Sequence, residues 1–90
     1  MSTSDNYGDN RIKSVDFKND MLVVGLIDGR IISVPTIFYP RLYNATKEQR
    51  KNWILSAGGY GIHWSDIDED LSSEGLLRGA PAPYKQMTSV

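Results

Sequence analysis

The residues able to do chemistry are crowded into one stretch. Between Gly59 and Leu71 the sequence Gly-Tyr-Gly-Ile-His-Trp-Ser-Asp-Ile-Asp-Glu-Asp-Leu sets the only histidine, His63, beside Trp64 and the acids Asp66, Asp68, Glu69 and Asp70. Three kinds of chemistry use these residue types. An imidazole with carboxylates can hold a divalent metal, giving a small metal-dependent enzyme or nuclease at His63, Asp66, Asp68 and Asp70. Two carboxylates in unlike environments can divide the work of acid and base. An acidic surface can instead meet a protein partner of opposite charge.

Spacing weighs against the first two. Asp66, Asp68 and Asp70 alternate as the first ligands of a calcium loop do, but its sixth position is Leu71 and its twelfth is Leu77, where such a loop needs Gly and Glu. His63 and Asp66 are not at the i, i+4 helical spacing that aims two ligands at one point. There is no Gly-x-Ser-x-Gly elbow, and Gly58-Gly59-Tyr60-Gly61 lacks the Lys-Ser/Thr of a phosphate loop. No catalytic residue, metal ligand or cofactor is therefore assigned, and no enzymatic activity is expected. Consecutive acids after a strand read as solvated groups on a turn, one or two of them favouring the N-terminus of the next helix. The candidate site is thus an interaction surface made of His63, Asp66, Asp68, Glu69 and Asp70, with Arg41 and Arg50 able to fold back onto it.

Charge is balanced overall and segregated locally. Ten basic residues against eleven acidic ones leave a formal net charge of -1, too little field for non-specific nucleic-acid or membrane binding. A nucleic-acid contact would have to be local, through Arg41, Arg50 and Lys51, and is otherwise expected only through a partner. Without cysteine there are no disulfides and no zinc sites built on thiolates. The opening residues lack the basic and apolar regions of a signal peptide, and the apolar run Met21 to Ile27 is far short of the roughly 20 residues that cross a membrane. No membrane association and a cytoplasmic location are expected.

The elements that must position these residues are short. Residues 1–10 and 80–90 are small, polar and turn-prone and read as flexible tails around one α+β domain spanning 11–79. Ile12 to Phe17 suits a half-exposed strand with Val15 and Phe17 on one face. Asn19-Asp20 supplies a turn, Met21 to Ile27 a second strand, Asp28-Gly29 a type I′ hairpin, and Arg30 to Val34 a third strand stopped by Pro35. The first third is thus a three-stranded antiparallel meander. A helical turn opened at Pro40 follows. The capping box Thr46-Lys47-Glu48-Gln49 then starts a helix that carries Trp53, Ile54 and Ala57 and ends at Gly58-Gly59. Gly61 to Trp64 is one further short strand, with Ile62 and Trp64 on one face and His63 on the other. Ser72 or Asp70 caps a last helix bearing Leu76 and Leu77 and stopped by Gly79. Ile62, Trp64 and Ile67 are expected inward and the acids outward.

Taken in order, Asp28-Gly29-Arg30, Val34-Pro35, Tyr39-Pro40-Arg41-Leu42, Ala45-Thr46, Gln49-Arg50, Asn52-Trp53, Gly59-x-Gly61-Ile62-His63-Trp64, Ile67-Asp68-Glu69-Asp70 and Leu76-Leu77-x-Gly79 resemble the small bacterial family called domain of unknown function 2442. The resemblance covers about residues 12 to 79. It implies a short α+β protein, some members standing alone and others fused to a helix-turn-helix, with genes that often adjoin another small protein in a toxin-antitoxin-like arrangement. It carries no catalytic residue. Eleven residues follow Gly79, too few for the fused helices, so direct operator binding is not expected here. The combined expectation is a non-enzymatic interaction module, antitoxin-like or regulatory, whose partner is a protein encoded nearby. An open meander edge would also suit a homodimer.

Overall fold

A computed structural model describes residues 8–79. Of the tails expected at 1–10 and 80–90, residues 1–7 and 80–90 lie outside the described residues, whereas Gly8 donates its N–H to Asp28 at 3.1 Å and Asp9 pairs with Arg11. Strands β1 (Ile12–Lys18), β2 (Met21–Leu26) and β3 (Ile31–Pro35) form the expected antiparallel meander in the order β1-β2-β3. The pleat of β2 sends Leu22, Val24 and Leu26 inward, each no more than 1% exposed. Opposite them on β1 stand Phe17, Val15 and Ile12. Plain alternation from Val15 would put Lys13 inside. A bulge between Ile12 and Ser14 shifts the register and turns Ile12 into the core instead.

The type I′ loop expected at Asp28-Gly29 forms instead at the Asn19-Asp20 turn. Asn19 and Asp20 both have positive φ, 50° and 65°, as a two-residue type I′ loop requires. At Asp28-Gly29 only the glycine does, at 99°. There the Gly29 N–H donates to the Leu26 carbonyl at 3.0 Å and the Leu26 N–H to the Arg30 carbonyl at 2.8 Å, closing a three-residue loop with glycine at its bulge. Asp28 is held by its own bonds, accepting the backbone N–H groups of Gly8 and Arg30 and the Arg30 guanidinium.

After Pro35 come a 3-10 turn (Thr36–Phe38) and the helices α1 (Pro40–Tyr43) and α2 (Lys47–Lys51). The capping box forms as expected: the Gln49 N–H donates to Thr46 Oγ1 at 3.0 Å and the Thr46 N–H to Gln49 Oε1 at 2.9 Å. The helix it starts is shorter than its pattern suggested. It buries none of its own residues and ends at Lys51, so packing does not extend it. Ile54–Ser56 is instead strand β4, and Ala57, Gly58 and Gly59, all at positive φ, return the chain into β5 (Gly61–Trp64). Gly58-Gly59 therefore connects a hairpin where helix termination was expected. A Cβ at Gly61 would lie 2.6 Å from Ser56 Oγ, so a larger residue there requires the Ser56 hydroxyl to turn away.

Strand β6 (Glu69–Ser72) pairs on the other side of β5, giving a second antiparallel sheet β4-β5-β6 where one strand was expected. Helix α3 (Ser73–Arg78) follows directly, with Ser72 accepting the Gly75 N–H at 3.0 Å as its N-cap. The core joins the inner faces of both sheets to Tyr39, Leu42 and Leu76. Trp64 is its largest fully buried side chain. Its ring meets Phe17 edge-on at 6.4 Å and its Nε1–H donates to the Arg50 carbonyl at 3.0 Å. Trp53 packs on this core while partly exposed. No described helix is long and apolar enough to cross a membrane.

Candidate functional site

Strand β5 lies between β4 and β6, and its alternation points Ile62 and Trp64 inward and His63 outward. Register then places Ile54 on one side of His63 and Asp70 on the other. The His63 Nδ1–H donates to Asp70 Oδ1 at 2.7 Å across the strands. Ile54 is 60% exposed in the same row. The outer face of the second sheet thus carries an aliphatic side chain beside a histidine–carboxylate pair.

The acids do not stay together. Asp68, in the turn, has a φ of 53°, a conformation aspartate tolerates better than most residues. Glu69 and Asp70 are neighbours on a strand, so they point to opposite faces. Glu69 turns inward opposite Trp64 and is buried, which corrects the expectation that all the acids face solvent. Its carboxylate lies 3.8 Å from the Arg41 guanidinium, which also donates to the Asp68 carbonyl at 2.6 Å. Burial pushes the Glu69 carboxyl above its usual pKa, with Asp70 and Asp68 adding to the rise and Arg41 opposing it. The buried Tyr39 hydroxyl is raised too, first by burial and then by the charge of Glu69. Asp66 accepts the Asn52 side-chain amide at 3.0 Å. Among the described residues no three His, Asp or Glu side chains are placed to hold a metal ion.

The cations separate as well. Arg41 reaches the acidic corner. Arg50 does not: it donates to the carbonyls of Leu42 and Tyr43 at 2.9 and 3.0 Å and lies 5.0 Å over the Phe17 ring. It closes the C-terminal end of α1 and belongs to the fold. Lys51 is exposed. Arg41 and Arg50 are therefore each held by separate partners.

Ile54 was not among the expected surface residues because β4 was read as helix. Its signal was present: Ile54-Leu55-Ser56, a Gly-rich turn and Gly61-Ile62-His63-Trp64 together read as a hairpin.

Fold and site define a small α+β domain of two three-stranded antiparallel sheets, with its histidine and acids used in cross-strand and turn contacts. The chain belongs to the family described as "Protein of unknown function (DUF2442)", whose model matches residues 12–82. It is similar to the crystal structure of a protein of unknown function from Rhodospirillum rubrum, with a TM-score of 0.71 and 26% identity over 86% of this chain and 95% of that one. It is also similar to the solution structure of an uncharacterised protein from Chromobacterium violaceum, with a TM-score of 0.72 and 27% identity over 88% of this chain and 74% of that one. No curated protein matches it.

Proposed function

We propose that this domain is a non-enzymatic interaction module that binds another small protein through the outer face of its second sheet and the adjoining acidic turn. The observation that carries this reading is the 60% exposure of Ile54 in line with the His63–Asp70 pair. Burying an aliphatic side chain of this size is worth about 2 kcal/mol, and the hydrogen bond already made between His63 and Asp70 offsets part of the cost of covering their polar groups. Asp66 and Asp68 lie in the turn that joins β5 to β6 and give this face its negative rim, which steers a basic partner. The gene arrangement implied by the resemblance makes the product of the adjacent gene the first partner to test, with an antitoxin-like or regulatory role for this chain. Co-expression should yield a co-purifying complex. Asp68→Lys with Asp70→Lys should weaken it while the melting transition stays cooperative, and a complex of unchanged affinity would show that this face is not the interface.

A further inference from the structure

A second surface, of opposite charge, is built from other elements. Between β1 and α2 runs a cleft of about 300 Å³ whose apolar floor is Val15, Phe17 and Trp53 and whose rim is Lys47, Arg50 and Lys51. Arg50 is fixed in place by its two carbonyl bonds and the Phe17 ring. Lys47 and Lys51 are exposed, stand one helical turn apart, and form no ion pair among the described residues. Two uncommitted ammonium groups over an aromatic floor favour an anion that also carries an apolar side chain.

The strand beside the cleft indicates what kind of anion. β1 is an edge of its sheet. The two-residue Asn19-Asp20 loop makes Lys18 and Met21 a hydrogen-bonded pair, and so, two residues on, Asp16 and Val23. Val15 and Phe17 therefore turn their N–H and C=O groups to the open edge. Asp16 Oδ1 accepts the Phe17 N–H at 2.9 Å, which leaves the N–H and C=O of Val15 unpaired by β2. A peptide in extended form matches such an edge group for group, as a nucleic-acid backbone does not. Asp16 on the rim and the net charge of -1 also disfavour a phosphate chain. Residues 80–90 contain no acidic side chain and carry Lys85, so that segment matches the two lysines poorly.

We propose that this cleft binds an acidic peptide segment of a partner protein, extended along β1, with one apolar side chain on the Val15, Phe17 and Trp53 floor and a carboxylate at Lys47 and Lys51. The site is independent of the face around Ile54. The test uses the full chain and a phage-displayed library of random twelve-residue peptides. Selection should enrich sequences that combine acids with an aliphatic or aromatic residue. The most enriched peptide, made synthetically, should shift the amide signals of Val15 to Phe17 and the Trp53 indole in a saturable titration. Lys47→Glu with Lys51→Glu should weaken that peptide about tenfold or more without lowering the melting temperature. The proposal is overturned by failure to enrich acidic peptides, by shifts that map elsewhere, or by charge-reversed protein of unchanged affinity. Binding of hexathymidylate with equal or greater affinity would overturn it in favour of a nucleic-acid site, and concentration-dependent shifts in the same cleft without peptide would assign it to a second copy of the chain.

Discussion

Replacing Arg50 by methionine separates a structural arginine from a surface one. The methionine keeps most of the apolar stem and removes the guanidinium, so the change isolates the polar contacts. Those are two bonds to the Leu42 and Tyr43 carbonyls at 2.9 and 3.0 Å and the stack over Phe17 at 5.0 Å. A hydrogen bond to a charged group contributes about 1.5–3 kcal/mol, and the lower end applies here because one of the two is solvent-exposed. A partly exposed cation–π contact adds roughly 0.5–1 kcal/mol. The expected loss is therefore about 3.5–4 kcal/mol, which in a domain of this size lowers the melting temperature by roughly 14–32 °C. Urea denaturation followed by circular dichroism measures it directly. Arg50→Lys should recover less than half, because an ammonium cannot reach both carbonyls as the planar fork does. A loss under about 0.5 kcal/mol, the range of ordinary surface substitutions, would refute the assignment of Arg50 to the fold.

Two further outcomes follow from single buried groups. Thr36 Oγ1 is fully buried with no hydrogen-bond partner among the described residues, so Thr36→Val should raise the urea midpoint by an amount worth about 1 kcal/mol, and a lowered midpoint would mean that the hydroxyl is bonded after all. Because the Glu69 carboxyl is raised above its usual value, the folded protein binds that proton more tightly than the unfolded chain. Its contribution to stability is present below the unfolded carboxylate pKa and is lost as pH rises through the folded one. The melting temperature of Glu69→Gln relative to the parent should therefore climb between pH 4 and pH 7, and a difference that does not vary with pH would contradict the burial argument.

How far the sequence could be read depended on whether an element's cause was local. The capping box at Thr46 and Gln49, the Ser72 cap of α3 and the alternation of Leu22, Val24 and Leu26 are each written in neighbouring residues, and each appears in the structure. Strand β6 is different. Glu69-Asp70-Leu71-Ser72 has little strand propensity of its own, and it is extended because β5 offers a partner and His63 pairs with Asp70 across the ladder. Strand β4 was hidden by a helical spacing that its pairing with β5 overrides. Since both flanks of His63 are set by strand pairing and not by the local pattern of their own residues, its composition was visible in the sequence and its geometry was missed. The inward turn of Glu69 follows from the same cause, as a residue on a strand faces the side its register dictates. The bulge beside Ile12 was equally out of reach, because it is set by β2 across the ladder.

Hydrogen–deuterium exchange of this chain, alone and with the adjacent gene product, tests the central claim most directly. Binding through the proposed face should slow exchange in β4, in residues 65–68 and in β6, where the amides lie around Ile54, His63 and Asp70. Complex formation that leaves these three segments unchanged and protects others would contradict it.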